Sequence, residues 1–144
     1  MSIFSPENLH EKFPHAYFHR EYRLITWYPS GHLTNDRADQ MIDFLEHAET
    51  IEDKPFNRYT DMTGYSRIEL GLDHIVRLAR RRRGYKGVPV RSAFYAVRLL
   101  SLTIANMYEE LMCGSRIQVC TFRDRIAAAE WLGVPSTLLQ PEKT

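Results

Sequence analysis

Cysteine is scarce in this chain. Cys113 and Cys120 are the two in 144 residues, and their C-x6-C spacing matches neither a zinc pattern nor a thioredoxin-type dithiol. They read as reduced thiols that fill space. Long apolar runs are missing too. None approaches the roughly 20 residues that cross a bilayer, and the start MSIFSPENLHEKF lacks the basic, apolar and small-residue progression of a secretory leader. The expected location is the cytoplasm. The chain has no H-E-x-x-H, G-x-S-x-G, Walker loop or G-x-G-x-x-G, so the common signatures of zinc hydrolysis, serine acyl transfer and nucleotide binding are absent. His15 and His19 stand four apart in a segment that reads as strand, where that spacing is too long for one metal. Acid–base pairs form by folding rather than by spacing, and the sequence nominates none. No metal, cofactor or enzymatic activity is expected.

The most informative absence is of negative charge. From His74 to Tyr108 there is no Asp or Glu, while Arg77, Arg80, Arg81, Arg82, Arg83, Lys86, Arg91 and Arg98 fall within it. The whole chain is only +1, so positive and negative charge are kept apart along it. If that separation survives folding, one surface is strongly positive and suits an acidic partner. Nucleic acid fits poorly, because Tyr85 is the one aromatic near the run and no stacking platform is visible. An acidic protein surface fits better, and the Asp/Glu-rich first long helix of a second copy, in a homodimer, is one candidate.

What is present reads as alternating strand and helix. Ser5-Pro6-Glu7 opens a short helix that Pro14 closes. HAYFHR and YRLITWY read as two strands turning at Arg20-Glu21, with Leu24 and Thr26 on one face and Ile25 and Trp27 on the other. Ala38, Met41, Ile42, Leu45 and Ala48 make the apolar stripe of a helix from Asn35 to about Thr50. Phe56 to Met62 is a strand. A second long helix runs from about Leu70 to Arg83 with stripe Leu72, Ile75, Val76 and Ala79, Gly84 capping it. Val90 to Val97 is a strand apolar on both faces, as in a sheet covered on both sides. Ser101 to Met112 is a third helix whose stripe is Leu100, Ile104, Met107, Tyr108 and Leu111. Arg116 to Phe122 is the last strand, and a helix from Asp124 burying Ala127, Ala128, Trp131 and Leu132 stops at Gly133. The expectation is one α/β domain: residues 1–21 an N-terminal helix and first strand, 22–135 the main body, 136–144 a frayed tail.

The words YRLITWYPSGHLT, RYTDMTGYSRIEL, VRSAFYAV, ANMYEELM and FRDRIAAAEWLG, in this order over about four fifths of the chain, resemble the SpoIIAA-like group of the STAS domains. The resemblance implies a mixed, largely parallel sheet of about five strands with flanking helices, working by binding rather than catalysis. Better-known relatives bind partner proteins and are switched by phosphorylation of a serine that follows an acid at the start of the second long helix. Here Glu69-Leu70-Gly71-Leu72 occupies that setting, and Leu70 stands where the serine is expected. The expectation is therefore a module without that switch, although Thr63 and Ser66 lie nearby. The looser fold group is also likened to lipid-binding domains.

Two sets of residues follow as site candidates. Arg77, Arg80, Arg81 and Lys86 would attract an acidic partner, with Arg77 and Arg81 sharing a helix face and Arg83 laying its stem on the core edge. Asp61, Thr63 and Ser66 would line a cleft at the carboxyl end of a central strand, where α/β sheets bind ligands. The plainer account of Asp61-Met62-Thr63-Gly64 is a turn, shaped by local bonds to the backbone and by an unusual backbone angle at Gly64. The alternative function is a carrier of a small amphiphile, which calls for an internal cavity on the order of 300 Å³ or more.

Overall fold

A computed structural model describes residues 13, 15–52 and 54–141. The expected Ser5–Phe13 helix lies almost wholly outside them. Strands are β1 (Ala16–His19), β2 (Leu24–Trp27), β3 (Gly31–Thr34), β4 (Asn57–Asp61), β5 (Tyr65–Glu69), β6 (Val90–Tyr95) and β7 (Ile117–Phe122). Helices are α1 (Asn35–Ile51), α2 (Leu72–Arg82), α3 (Leu99–Leu111) and α4 (Arg125–Leu132). Five strands form one sheet in the order β1-β2-β4-β6-β7. β1 is antiparallel to β2, and every other pair is parallel. The expected α/β class and mixed, largely parallel sheet are what the chain adopts.

The β1–β2 hairpin turns through Arg20–Tyr22, with Arg23 in the left-handed region at φ 48°. Alternation in β2 then sorts its side chains as the sequence predicts. Ile25 and Trp27 pack with Phe44 and Ala48 of α1, while Leu24 packs with Tyr59 and the α4 residues Ala128, Ala129 and Leu132. Helices α1, α2 and α3 thus cover one face and α4 the other. Thr34 caps α1 by accepting from Arg37 N, and Asp124 caps α4 by accepting from Ile126 N.

Several expectations are corrected. β3 and β5 form a separate parallel two-stranded sheet that the sequence reading passed over as turn and helix start. The buried stripe of α2 is Ile75, Leu78, Ala79 and Arg82, and Leu72 is exposed. Leu72 is the first residue of the helix and sits a turn before the buried Ile75, at the end of the packed stretch. In α3, Ser101, Ile104 and Ala105 are buried, while Leu100 is exposed. α4 buries Ala129 more fully than Ala127 or Trp131. Gly84 is no left-handed cap: Arg83 closes α2 in right-handed helical backbone. Gly133, at φ 74°, does close α4. Residues 136–139 are no loose tail. They form a 3-10 turn that seats the fully buried Leu139 against Leu24, Tyr59 and α4.

Candidate functional site

The charge pattern of the sequence is resolved in part inside the molecule, where Arg81 and Arg82 meet carboxylates of the same chain. α1 and α2 run parallel, and their polar edges pair along their length. Asn35 Oδ1 accepts from Gly71 N at 3.2 Å, His74 Nε2 lies 2.7 Å from Asp39, and Arg81 reaches Asp43 at 2.5 Å and Glu46 at 2.6 Å. Arg82 Nη2 reaches Glu49 at 2.5 Å. The acids of α1 therefore face the bases of α2 in the same chain, and those four are not available to a second copy. Arg81 is withdrawn from the basic surface. Its hydrogen bonds to Glu46 and then to Asp43 hold its pKa above the usual arginine range.

Helical geometry explains the sorting. At about 100° per residue, positions 74 and 81 share the edge toward α1, while 75, 78, 79 and 82 face the sheet. Position 83 turns toward α3, where Arg83 Nη1 donates to the carbonyls of Leu111 and Cys113 at 3.2 and 2.8 Å. Arg77 and Arg81, four residues apart, lie on one side of the helix as expected, but of the two Arg81 alone meets carboxylates among the described residues, and Arg82, not Arg83, enters the core. Arg91 donates to the Trp131 carbonyl and Arg98 to the Tyr65 carbonyl. Of the candidates, Arg77, Arg80 and Lys86 stand exposed and make no ion pair among the described residues. The N-terminal ends of α2 and α3 add exposed apolar side chains: Leu72 at 64%, Leu99 at 82% and Leu100 at 54% exposure.

Asp61 ends the central strand β4, as expected, but it is buried at 2% exposure. Its Oδ1 accepts from Thr63 N at 2.9 Å and Thr63 Oγ1 at 2.6 Å, and Oδ2 accepts from Arg125 at 2.7 Å. The two Thr63 bonds match the plainer account of a locally shaped turn, while the Arg125 pair ties the turn to the start of α4. Gly64 departs from it, since its φ is not positive. It is needed for space, because a Cβ there would lie 2.4 Å from the Pro29 carbonyl oxygen. Ser66 sits exposed on β5, and no described side-chain bond joins it to Asp61 or Thr63.

A polar cluster sits in the core that none of the sequence expectations includes. Arg58 on β4 is 2% exposed and points to the α1–α3 face, where Arg58 Nη2 and Arg82 Nη2 both reach Glu49 Oε2 at 2.5 Å. Burial pulls the Arg58 pKa down, Glu49 opposes that, and the like charge of Arg82 adds to the fall. The signal was legible: RYTD is a poor sequence for a central strand unless Arg58 has a buried counter-ion. Beside the cluster, between the sheet and α1–α3, lies an apolar cavity of about 120 Å³. No group of three or more potential metal ligands occurs among the described residues, and none of their helices is long and apolar enough to cross a membrane.

No family model matches the chain, and no curated protein matches it. Its fold is similar to a crystal structure of an uncharacterized DUF3478-family protein with a SpoIIAA-like fold from Shewanella loihica PV-4, at 20% identity over 76% of this chain and 83% of that one, with a TM-score of 0.49.

Proposed function

We propose that the chain is a non-enzymatic binding module whose outer α2 face docks an acidic protein. The observation that carries this reading is the composition of that face. Arg77 and Arg80 are exposed without carboxylate partners among the described residues, and Leu72, Leu99 and Leu100 crown the same end of α2 and α3. Apolar side chains at the amino ends of these helices, with unpaired cations further along α2, favour a partner that offers an apolar contact with acidic side chains beside it. Lys86, exposed beyond α2, extends the positive field. Arg81 is dropped from this surface because Asp43 and Glu46 already neutralise it.

The reading includes no phosphorylation switch. Leu70, at the position of the expected acceptor, packs against the core around Leu33, Met62 and Leu78. A lipid carrier is not favoured: the apolar cavity between the sheet and α1–α3, at about 120 Å³, is well below the roughly 300 Å³ of an ordinary ligand pocket, and the larger open pocket of about 800 Å³ beside Trp27 and Phe44 is walled as much by Arg37, Gln40, Asp43 and His47 as by apolar side chains.

The test is a pull-down from the native host at graded salt, comparing wild type with Arg77→Glu/Arg80→Glu and with Leu99→Ser/Leu100→Ser. The charge reversal is expected to abolish capture of a specific acidic protein. The serine pair is expected to weaken capture while leaving its salt dependence intact. Capture that survives both variants removes the surface from consideration, and phosphate incorporation at Thr63 or Ser66 by host kinases would restore the switch.

A further inference from the structure

The cavity and the open groove outside it share two lining residues, Arg58 and Arg82. The groove, at the amino ends of the strands, is flanked by Glu49, Phe56 and Tyr85. The two guanidiniums therefore form the wall between solvent and an apolar interior. One carboxylate, Glu49, bridges both, leaving an excess positive charge at this wall; Glu46 lies 3.6 Å from Arg82 but is chiefly engaged by Arg81. Arg58 Nε is buried and has no hydrogen-bond partner among the described residues. An unsatisfied donor on a buried cation is costly, and a second anion would satisfy it. The cavity behind is apolar along Met41, Ile75, Phe94 and Ala105, with the hydroxyls of Thr60 and Ser92 on its strand side.

We infer that this wall and cavity bind a small carboxylate with a short apolar tail, its head on Arg58 and Arg82 and its tail between the sheet and α1–α3. Size limits the tail. A cavity of about 150 Å³ holds one benzene, so about 120 Å³ admits a chain of about four to six carbons. The head must be anionic, because an amine would meet two buried cations, and an alcohol would leave the excess charge uncompensated. The site lies on the opposite side of α2 from the proposed docking face, so either can fail without the other.

The experiment titrates linear carboxylates from acetate to octanoate into the full chain, with alcohols and primary amines of matched length, and follows methyl NMR shifts. Saturable binding is expected to be tightest at four to six carbons. The matched alcohol should bind at least ten-fold more weakly, and the amine should not bind. Ile104 and Ala105 methyls, which border the cavity, should shift, while Ala128 and Ala129 on the other face should not. Arg58→Met should erase the preference for acid over alcohol. If that variant does not fold, the wild-type acid–alcohol ratio and the methyl map decide alone. Absence of saturable binding, equal affinity for acid and alcohol, or shifts centred on α4 would overturn the inference.

Discussion

Arg58 and Arg82 share one carboxylate oxygen, Glu49 Oε2, at 2.5 Å each. Both guanidiniums are almost fully buried, so each depends on that anion for its place in the core. Tyr85 adds its ring face, with guanidinium carbons 5.9 Å from the ring centroid for Arg58 and 6.0 Å for Arg82. Since α1 carries Glu49, β4 Arg58 and α2 Arg82, this one contact joins three elements.

Removing the anion should therefore be severe. Glu49→Gln leaves two buried like charges with only Glu46, 3.6 Å from Arg82 and shared with Arg81, nearby, and is expected to cost about 3–5 kcal/mol, the range for breaking a buried pair. Glu46→Gln, whose side chain is 35% exposed beside Arg81, should cost under about 1 kcal/mol. Urea denaturation of the two variants separates the cases. Comparable losses would mean that water reaches the Arg58–Arg82 pair freely. Replacing all three partners by apolar residues of similar volume should recover most of the stability.

Gly64 gives a prediction of a different kind, about space. Its Cα passes so close to Pro29 that an added Cβ would lie 2.4 Å from the Pro29 carbonyl oxygen. Backbone cannot swing aside as a side chain can, so Gly64→Ala should separate the end of β2 from the turn after β4, at about 1–3 kcal/mol. Gly71→Ala is the control. A Cβ there meets nothing within 4 Å, and its φ of −70° suits alanine, so the change should stay within about 0.5 kcal/mol. Equal denaturation midpoints for the two variants would refute the packing account.

The sequence exposed the elements whose signals are periodic and local. The hairpin, α1 and α4 follow from alternation, from an apolar repeat and from boundary signals at Asp124 and Gly133. It did not expose pairing between distant segments. β3 and β5 are four and five residues long with mostly exposed or half-buried side chains, so neither has an apolar pattern to read, and parallel pairing across about thirty intervening residues leaves no local trace. The fate of the arginines was hidden for the same reason. Acid on α1 and base on α2 are visible as composition, but whether they meet depends on the two helices lying side by side and parallel. Arg82 in the core was in turn masked by its neighbours, since a run of four arginines reads as solvent-facing until one register is fixed.

Tyr65 makes stability depend on alkaline pH in a defined window. It is 4% exposed, its hydroxyl lies 3.8 Å from Met41 Sδ, and burial raises its pKa from 10.0 to about 12, with Arg37 opposing slightly. The raised value belongs to the folded state, so the sign is set. Below about pH 10 both states hold the proton and the full stability is present. As pH rises from about 10 to about 12, the unfolded tyrosine ionises while the folded one does not, and stability falls by up to about 1.4 kcal/mol per pH unit from this group. Above about pH 12 the folded form ionises as well and the slope flattens. Tyr28 and Tyr108 are also raised to about 12, chiefly by burial, so the wild-type decline should be steeper than one tyrosine gives. Tyr65→Phe should remove one proton's share, about 2–3 kcal/mol across the window, and leave stability near pH 7 little changed because the hydroxyl's described contact is a weak one to sulfur. Urea midpoints measured from about pH 9 to pH 12 test this. Parallel curves for wild type and variant would show that the Tyr65 hydroxyl is reached by solvent before the fold is lost.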